Sequence, residues 1–174
     1  APAVHDVSVD SVSVPCPVLA GPSSYSVAIQ LKNVGTVEET SITVSLTHAP
    51  PGGAPVIAVG TSAQLTLGPN ASAPVYIPWT PGTAAGTHRL TATIPAVAGE
   101  VGITNNTRFI DVVVELHDVQ VLSVTAPASA NIGSGVPVTV TVQNNGNVGE
   151  TTPVVLIAQP PGGGPSVNIP TQSV

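Results

Sequence analysis

The chain has 174 residues, and only 7% of them are charged. With three Lys and Arg residues in total and a formal net charge of −6, it lacks the clustered cations that bind nucleic acid, so nucleic-acid partners are excluded. No apolar run approaches the ~20 residues of a membrane-spanning helix, and the single cysteine, Cys16, allows no internal disulfide.

The opening strand carries apolar residues whose spacing changes phase. Val7 and Val9 share one parity, whereas Val12 and Val14 share the other, so the phase changes at Asp10-Ser11. Such a change needs a β-bulge or a crossing from one sheet to the other. The opening strands of immunoglobulin-like sandwiches make such a crossing, and the sequence predicts the same here.

Further along the chain, apolar and polar residues alternate with a period of two, which is typical of antiparallel strands with one buried face. No segment keeps a period of 3.6, so no substantial helix is expected. Nineteen prolines and seventeen glycines fit many short strands joined by turns. The sequence therefore predicts an all-β, immunoglobulin-like antiparallel β-sandwich. The alternating segments are residues 24–32, 40–47, 65–67, 75–79, 90–94 and 110–116.

The chain also repeats itself, because residues 5–15 return in similar form as residues 117–127. Later landmarks follow in the same order: an Asn-x-Gly turn at 33–35 and 144–146, Glu-Thr at 39–40 and 150–151, and Pro-Pro-Gly-Gly at 50–53 and 160–163. Nothing in the second copy corresponds to residues 67–116. We therefore predict one complete domain, residues 1–116, and an incomplete second copy, residues 117–174, which is either truncated or completed by a neighbouring subunit.

Several short motifs follow one another in a characteristic order. They are Asp-Val-x-Val at 6–9, Asn-x-Gly at 33–35, Leu-Gly-Pro-Asn at 67–70, Tyr-Ile-Pro-Trp at 76–79, Gly-Thr-His-Arg-Leu at 86–90 and Asn-Asn-Thr at 105–107, before a Val-rich last strand. This order resembles CARDB-type domains over residues 5–116, and its front half resembles them over residues 117–170. The family's usual Glu-x-Asn-Asn is altered, since the acidic residue is displaced to Glu100. The resemblance implies extracellular modules of prokaryotic surface proteins that act as spacers, adhesive stalks or assembly units, without a fixed activity.

No catalytic motif is recognisable: the chain has no nucleophile elbow, no Walker loop and no His-Glu-x-x-His. Cys16 lies between two prolines with no adjacent base to activate it, so we expect no enzymatic activity. Two Asn-x-Ser/Thr sequons, at Asn70 and Asn105, lie in predicted turns and are candidate glycosylation sites. A chain this rich in Ser and Thr produces one or two such sequons by chance.

Two groups of polar residues are candidate metal ligands. Neighbouring strand ends would gather a transition-metal site at the exit of the first domain, formed by His48, His88, Glu115, His117 and Asp118. The opposite end would gather oxygen ligands for Ca²⁺, namely Asp6, Glu38, Glu39, Glu100 and Asn105. Solvated loop residues are the alternative, which is favoured because Ca²⁺ needs six or more oxygen ligands. No cofactor is required by the sequence.

Several apolar residues lie where a closed sandwich would carry polar ones, and each indicates either an interface or burial under a loop. They are Phe109 and Val113 in the first copy and Val154 and Leu156 in the second. The inner face of the incomplete copy would stay in water at a cost of about 1–2 kcal/mol for each side chain. That face consists of Val136, Val138, Val140, Val142, Val155 and Ile157. The opening strand, with Val7, Val9, Val12 and Val14, is the best candidate donor to a neighbouring copy.

These features favour the subunit of an extracellular filament, a homopolymer assembled head-to-tail by β-strand complementation or sheet packing. The alternative is an adhesive or carbohydrate-binding module of a large cell-surface protein, whose partners would be other surface proteins or glycans. For an aromatic binding platform only Tyr76 and Trp79 are available, and Trp79 has core parity. An accessory stalk of a secreted enzyme is a third hypothesis.

Overall fold

The computed structural model describes residues 2–16, 18–20 and 23–169 of the chain. The chain divides into two compact units, residues 1–116 and residues 117–174, and the division falls where the repeat begins. The regular secondary structure of the described residues consists of strands and two short 3₁₀ turns, Pro51–Gly53 and Ile103–Asn105. No helix among them is long and apolar enough to cross a membrane. The predicted all-β class is confirmed.

Within the described residues, the first unit contains ten strands arranged as an immunoglobulin-like sandwich. They are β1 (Val7–Ser13), β2 (Val18–Ala20), β3 (Tyr25–Asn33), β4 (Glu39–Ile42), β5 (Ser45–Ala49), β6 (Ile57–Thr61), β7 (Leu65–Leu67), β8 (Ser72–Trp79), β9 (Gly86–Thr93) and β10 (Thr107–Glu115). One sheet has the order β1-β3-β8 and the other has the order β2-β10-β9-β5-β6, while β4 and β7 form a ribbon. All of these pairs are antiparallel except β2 with β10.

The phase change predicted in the opening strand is a β-bulge followed by a crossing. The register of β1 on β3 shifts between Val9 and Ser11, so Asp10 is the extra residue. The bulge lets Val7, Val9 and Val12 all face the core, although their spacing is not a strict alternation. The chain then crosses to the other sheet, where β2 runs parallel to β10.

The core between the two sheets is built from aliphatic side chains and one tryptophan. Val27, Ile29 and Leu31 of β3 are fully buried and face Leu90 and other alternating residues of the opposite sheet. Trp79, at the end of β8, is 2% exposed, as its parity predicts. Burying a Val, Leu or Ile side chain contributes about 1.5–3 kcal/mol, so this core is the main source of stability in the first unit.

The segment predicted as one strand, residues 40–47, is two strands that belong to different sheets. β4 pairs with β7, whereas β5 pairs with β6 and β9. Ser41 has a positive φ of 59°, an uncommon conformation for a non-glycine residue, and it redirects the chain at this point. Ile42, Val44 and Leu46 nevertheless all face the core, as the alternation predicts.

The outer edge of β8 is closed to further strands by proline. Asn33 donates its backbone N–H to Ala71 O (2.9 Å), so odd-numbered residues of β3 and β8 point their backbone groups toward each other. Pro74 and Pro78 therefore occupy outward-pointing positions of β8, where they remove the N–H groups that another strand would need.

The outer edge of β1 is closed by side chains instead. Glu100 Oε1 accepts the backbone N–H of Val7 (2.9 Å). Arg108 Nε donates to the carbonyl oxygen of Val9 (3.2 Å). Both outer edges of the three-stranded sheet are thus protected against edge-to-edge association.

The second unit repeats the front of the first. Its strands are β11 (Val119–Thr125), β12 (Thr139–Asn144), β13 (Leu156–Ala158) and β14 (Val167–Ile169), paired antiparallel as β11-β12 and β13-β14. The β11-β12 pair has its bulge between Val121 and Ser123, the counterparts of Val9 and Ser11. Among the described residues no strand pairs with the other edge of β12, whereas β3, its counterpart, pairs there with β8.

The turn after β12 also has the geometry of the turn after β3. Asn33 Oδ1 accepts the N–H of Gly35 (2.9 Å), and its Nδ2 donates to the carbonyl oxygen four residues later (2.7 Å). Asn144 makes the same two bonds, to Gly146 (2.8 Å) and to the carbonyl four residues later (2.6 Å). A Cβ on Gly35 would lie 2.3 Å from Val4 O, so this turn requires glycine.

Candidate functional site

The inner face of the second unit is open to water. None of its described residues is buried, although their counterparts in the first unit form the core. Val27 is 0% exposed and its counterpart Val138 is 36% exposed, while Leu46 is 0% exposed and its counterpart Ile157 is 59% exposed. Every residue predicted to stay in water is exposed or half-exposed. These residues are Val136, Val138, Val140, Val142, Val155 and Ile157.

The unpaired edge of β12 presents backbone hydrogen-bonding groups. Asn145 donates its N–H to Asp118 O (2.7 Å), so odd-numbered residues of this segment point toward β11. Because successive residues of a strand point their backbone groups to opposite sides, those of Val140, Val142 and Asn144 point to the unpaired edge. A row of N–H and C=O groups of this kind is a template for pairing with another chain.

The opening-strand valines do not form the predicted assembly surface. Val7, Val9 and Val12 lie in the core of their own unit, and Val14 packs against that core. β1 also pairs with β3 along its length. The predicted donor strand already belongs to a closed sandwich, because its valines complete the first unit's own core. A copy could release the strand only by opening that unit.

The other predicted interface residues do lie at the surface of their units. Phe109 is 54% exposed, and Val113 on the same strand face is also exposed. The Arg89 guanidinium carbon lies 4.0 Å from the centre of the Phe109 ring, and this guanidinium also bonds to both carboxylate oxygens of Asp111 (2.7 and 2.8 Å). The two interface residues predicted in the second unit, Val154 and Leu156, are half-buried.

Glu100 joins three segments at the opening-strand end of the first unit. Its Oε1 accepts the N–H of Val7 (2.9 Å), and its Oε2 accepts the N–H of Val97 (2.9 Å) and Nδ2 of Asn106 (3.0 Å). We call Glu100 and these three partners the Glu100 cluster. Hydrogen bonds to an ionised carboxylate are stronger than neutral ones, so this cluster ties the loop before β10 to β1.

The remaining candidate calcium ligands are divided among other partners. Asp6 Oδ1, beside the Glu100 cluster, accepts Nδ2 of Asn105 (2.8 Å). Glu39 is buried and lies 2.6 Å from Nδ1 of His5. Glu38 is exposed. The structure therefore places most of this group at one end of the unit, as predicted. There, carboxylate oxygens of Glu100, Asp6 and Glu39 pair with nitrogen atoms of the protein.

The candidate transition-metal group is spread over both units: His48, His88 and Glu115 lie in the first, and His117 and Asp118 in the second. His117 Nδ1 pairs with Glu150 inside the second unit, as His5 pairs with Glu39 in the first. Over residues 2–16, 18–20 and 23–169, no three His, Cys, Asp or Glu side chains are grouped so that they could hold a metal ion.

His48 and His88 form a buried pair in the first unit. Nε2 of His48 lies 2.6 Å from Nδ1 of His88, and Nε2 of His88 lies 2.9 Å from Ala84 O. Because His88 donates its Nε2 proton to this carbonyl, its Nδ1 accepts the proton of His48, a pattern that uses the neutral tautomers. The Trp79 ring packs edge-on against both imidazoles, with centroid distances of 5.2 and 5.8 Å.

This pair is expected to make the first unit less stable in mild acid. Burial, and then the neighbouring His88 ring, lower the pKa of His48 from its ordinary value of 6.5. Below that pH the unfolded chain binds more protons than the folded one, so stability is lost as pH falls from about 6.5. Urea unfolding followed by Trp79 fluorescence should show a smaller free energy of unfolding at about pH 5.5 than at about pH 7.5. His48→Gln should reduce the difference, and an unchanged difference would contradict this assignment.

The two sequons differ in accessibility. Asn70 is exposed in a turn, with a φ of 60°. Asn105 is half-buried, donates its Nδ2 to Asp6 and has a buried Oδ1. Of the two predicted glycosylation sites, the structure therefore leaves Asn70 open to modification and holds Asn105 within a hydrogen-bonded network.

Two features of the site were missed at the level of sequence. The His5–Glu39 and His117–Glu150 pairs have a detectable signal, because His and Glu recur together in both copies of the repeat. The sequence signal for the role of Glu100 is weaker, since only its displacement from the usual CARDB motif distinguishes it from other acidic loop residues.

Two solved structures are similar to this chain in fold. The crystal structure of the CARDB domain of the PF1109 protein from Pyrococcus furiosus, in complex with di-metal ions, matches with a TM-score of 0.53 and 23% identity, over 66% of this chain and 96% of that chain. A solution NMR structure of the same domain matches with a TM-score of 0.52 and 23% identity, over 65% of this chain and 97% of that chain. The fold is that of a CARDB domain.

The predicted CARDB resemblance is thus confirmed for the fold. The β-glucosidase EmGH1 from Erythrobacter marinus matches with a TM-score of 0.49 and 11% identity, over 63% of this chain and only 15% of that chain, and it carries no argument about activity. No protein-family model and no curated protein sequence matches the chain.

Proposed function

We propose that this CARDB-fold protein is a non-enzymatic structural subunit of an extracellular filament, which assembles head-to-tail with copies of itself through the second unit. One observation carries the proposal: none of the described residues of the second unit is buried, although they repeat residues that form the core of the first. Covering apolar surface contributes about 25 cal/mol per Å², so contact with another chain would stabilise this unit.

The proposed contact joins two different surfaces, so it does not close on itself. The second unit of one copy would contact another part of the next copy, and a heterologous contact that does not close into a ring produces a filament. Main-chain hydrogen bonds at the edge of β12 would supply strength, and alternating valines would set the register. Only 7% of the residues of the chain are charged. A protein surface that is poor in charge suits extensive contact between copies.

A metal is not part of this proposal. The CARDB domain of PF1109 was crystallised with di-metal ions, but the described residues of this chain include no group of three His, Cys, Asp or Glu side chains that could hold a metal ion. Both oxygens of Glu100 accept N–H donors, Asp6 accepts the amide of Asn105, and Glu39 pairs with His5. A cation would have to displace these donors, which the fold uses to hold loops against β1.

The adhesive or carbohydrate-binding alternative, with glycans or other surface proteins as partners, has less support. A sugar-binding platform needs exposed aromatic rings that share a face. Tyr76 is 65% exposed on the three-stranded sheet, Phe109 is exposed on the other sheet, and Trp79 is buried. These three rings therefore provide no common platform.

The test is the oligomeric state of the purified chain, by light scattering and negative-stain microscopy over a wide range of concentration. We expect growth into filaments, which Val155→Lys should reduce because Val155 is 58% exposed on the inner face of the second unit. Val56→Lys is the matched control for an added surface charge, since Val56 is 65% exposed in the first unit and does not belong to the inner face of the second. A stable monomer at every concentration would contradict the proposal.

A further inference from the structure

We propose that the outer face of the five-stranded sheet in the first unit binds the same face of a second copy of this chain, about a twofold axis. The surface concerned is the Phe109 face, which we define as the outward side chains Thr47, Arg89, Thr91, Phe109, Asp111 and Val113 of β5, β9 and β10. This contact goes beyond the proposed filament, because it joins two first units through identical surfaces and does not involve the second unit.

The Phe109 face lies on the side of the sheet that points away from the core. Alternate residues of its strands, such as Leu90 and Val112, are buried in the core, so the residues between them point outward. The strand register places Thr91 of β9 between Phe109 of β10 and Thr47 of β5. Side chains of three adjacent strands therefore form one continuous surface around an exposed aromatic ring.

The charges of this face suit a second copy. The chain has a formal net charge of −6, so two copies repel each other unless the surfaces that meet carry little net charge. Among the outward residues of β5, of β9 and of residues 107–113 in β10, Arg89 and Asp111 are the only charged ones, and they neutralise each other. Protein interfaces are depleted in charge and enriched in Phe and Arg, and this face has that composition.

The same ion pair makes the face complementary to itself. Arg89 donates Nε and Nη2 to the two carboxylate oxygens of Asp111 (2.7 and 2.8 Å), and the two side chains are still 49% and 42% exposed. A guanidinium has five N–H donors, so Arg89 can bind a second carboxylate without releasing the first. A twofold axis beside this pair therefore places Arg89 of each copy against Asp111 of the other.

The hydroxyl groups of this sheet face already bond within the sheet. Thr47 Oγ1 donates to Thr91 O (3.4 Å), Ser45 Oγ donates to Thr93 O (3.2 Å), and the hydroxyls of Thr93 and Thr107 lie 3.2 Å apart. Covering these groups therefore removes few hydrogen bonds to water. Threonine side chains also lose little rotamer freedom when they are packed, so the face suits the stacking of two sheets at about 10 Å.

A sugar fits the Phe109 face less well than a second copy does. The guanidinium carbon of Arg89 lies 4.0 Å from the centre of the Phe109 ring and covers it. Asp111 holds the guanidinium in this position through two hydrogen bonds. A sugar that stacked on the ring would have to compete with the guanidinium, whereas a second copy can leave it in place.

The test uses the full chain carrying Val155→Lys, in which growth through the second unit is expected to be reduced. Sedimentation equilibrium, below the concentration of filament growth, should show a reversible dimer. Phe109→Lys should raise the dimer dissociation constant by about tenfold or more, because it places an unpaired charge in the contact. Tyr76→Lys is the matched control, since Tyr76 is 65% exposed on the three-stranded sheet, and it should leave the constant unchanged.

A charge exchange in the same Val155→Lys protein distinguishes the twofold contact from a defect in folding. Arg89→Asp gives the face two anions and Asp111→Arg gives it two cations, so each variant alone should repel its own copy and remain monomeric. An equimolar mixture should form a one-to-one dimer, because each altered position then faces the opposite charge in the other copy. Mixing could not repair a defect in folding.

Three results would each overturn the inference: a Val155→Lys protein that is monomeric at every concentration, equal dissociation constants for the Phe109→Lys and Tyr76→Lys proteins, or a mixture of the two charge variants that stays monomeric. Chemical-shift changes at Phe109 when dextran is added to such a monomer would assign the face to a sugar instead. The filament can fail separately, since a chain without Val155→Lys that stops at a dimer would refute the filament and retain this contact.

Discussion

Replacing Glu100 with alanine is expected to lower the free energy of unfolding of the first unit by about 3 kcal/mol. The carboxylate accepts two backbone N–H groups, from Val7 and Val97, and the side-chain amide of Asn106, which is 3% exposed. The substitution leaves these donors without an acceptor, and unsatisfied buried donors are more costly than the net value of the bonds that they lose. It also frees the outer edge of β1.

The measurement is urea unfolding followed by Trp79 fluorescence, with Glu38→Ala as the matched control. Glu38 is also a glutamate, but its side chain is exposed. Its replacement by alanine should therefore change the free energy of unfolding by less than about 0.5 kcal/mol. Glu100→Gln should give an intermediate loss, because one amide oxygen still accepts but the nitrogen does not. A Glu100→Ala protein as stable as the Glu38→Ala protein would show that the Glu100 cluster does not hold the loop to β1.

Local periodicity was sufficient to predict most of the core. Alternation along β3 placed Val27, Ile29 and Leu31 inside, and the phase change at Asp10-Ser11 located a bulge, because both depend only on the two-residue repeat of a strand. The break after Ser41 was not predictable in this way. The alternation of apolar residues continues through it, so the change of sheet leaves no trace in the pattern.

Side-chain partners were less predictable, because they depend on register between strands that are distant in sequence. His48 and His88 were considered as metal ligands near the exit of the first domain, whereas the structure buries them against each other and Trp79. Alternation marked the opening-strand valines as apolar but could not show whether they face their own core or another chain. The pairing of β1 with β3 decides that question in favour of their own core.

The open inner face of the second unit, in contrast, follows from the repeat itself. The four strands of residues 117–169 are counterparts of β1, β3, β5 and β6, and these residues include no counterpart of β8, β9 or β10. The described part of this unit therefore has counterparts for two of the three strands in one sheet and for two of the five strands in the other, and its inner-face valines are left exposed or half-exposed. This deficit could be read from the sequence because it needs only a comparison of the two copies.

The most direct test of this account compares amide hydrogen exchange at matched positions of β3 and β12 in the full chain. Ala28, Gln30 and Lys32 point their N–H groups toward β1, and the counterparts Thr139, Thr141 and Gln143 point theirs toward β11. A strand in a closed sandwich exchanges mainly through global unfolding, so the β3 amides should be slowed by about 10⁴-fold or more. An isolated two-stranded pair is at best marginally stable.

In dilute monomer the β12 amides should therefore exchange within about tenfold of the rates of an unstructured peptide. They should become strongly protected once another chain covers the second unit. Protection of Thr139, Thr141 and Gln143 equal to that of their β3 counterparts, in a sample shown by light scattering to be monomeric, would contradict the claim that residues 117–169 do not form a closed sandwich by themselves.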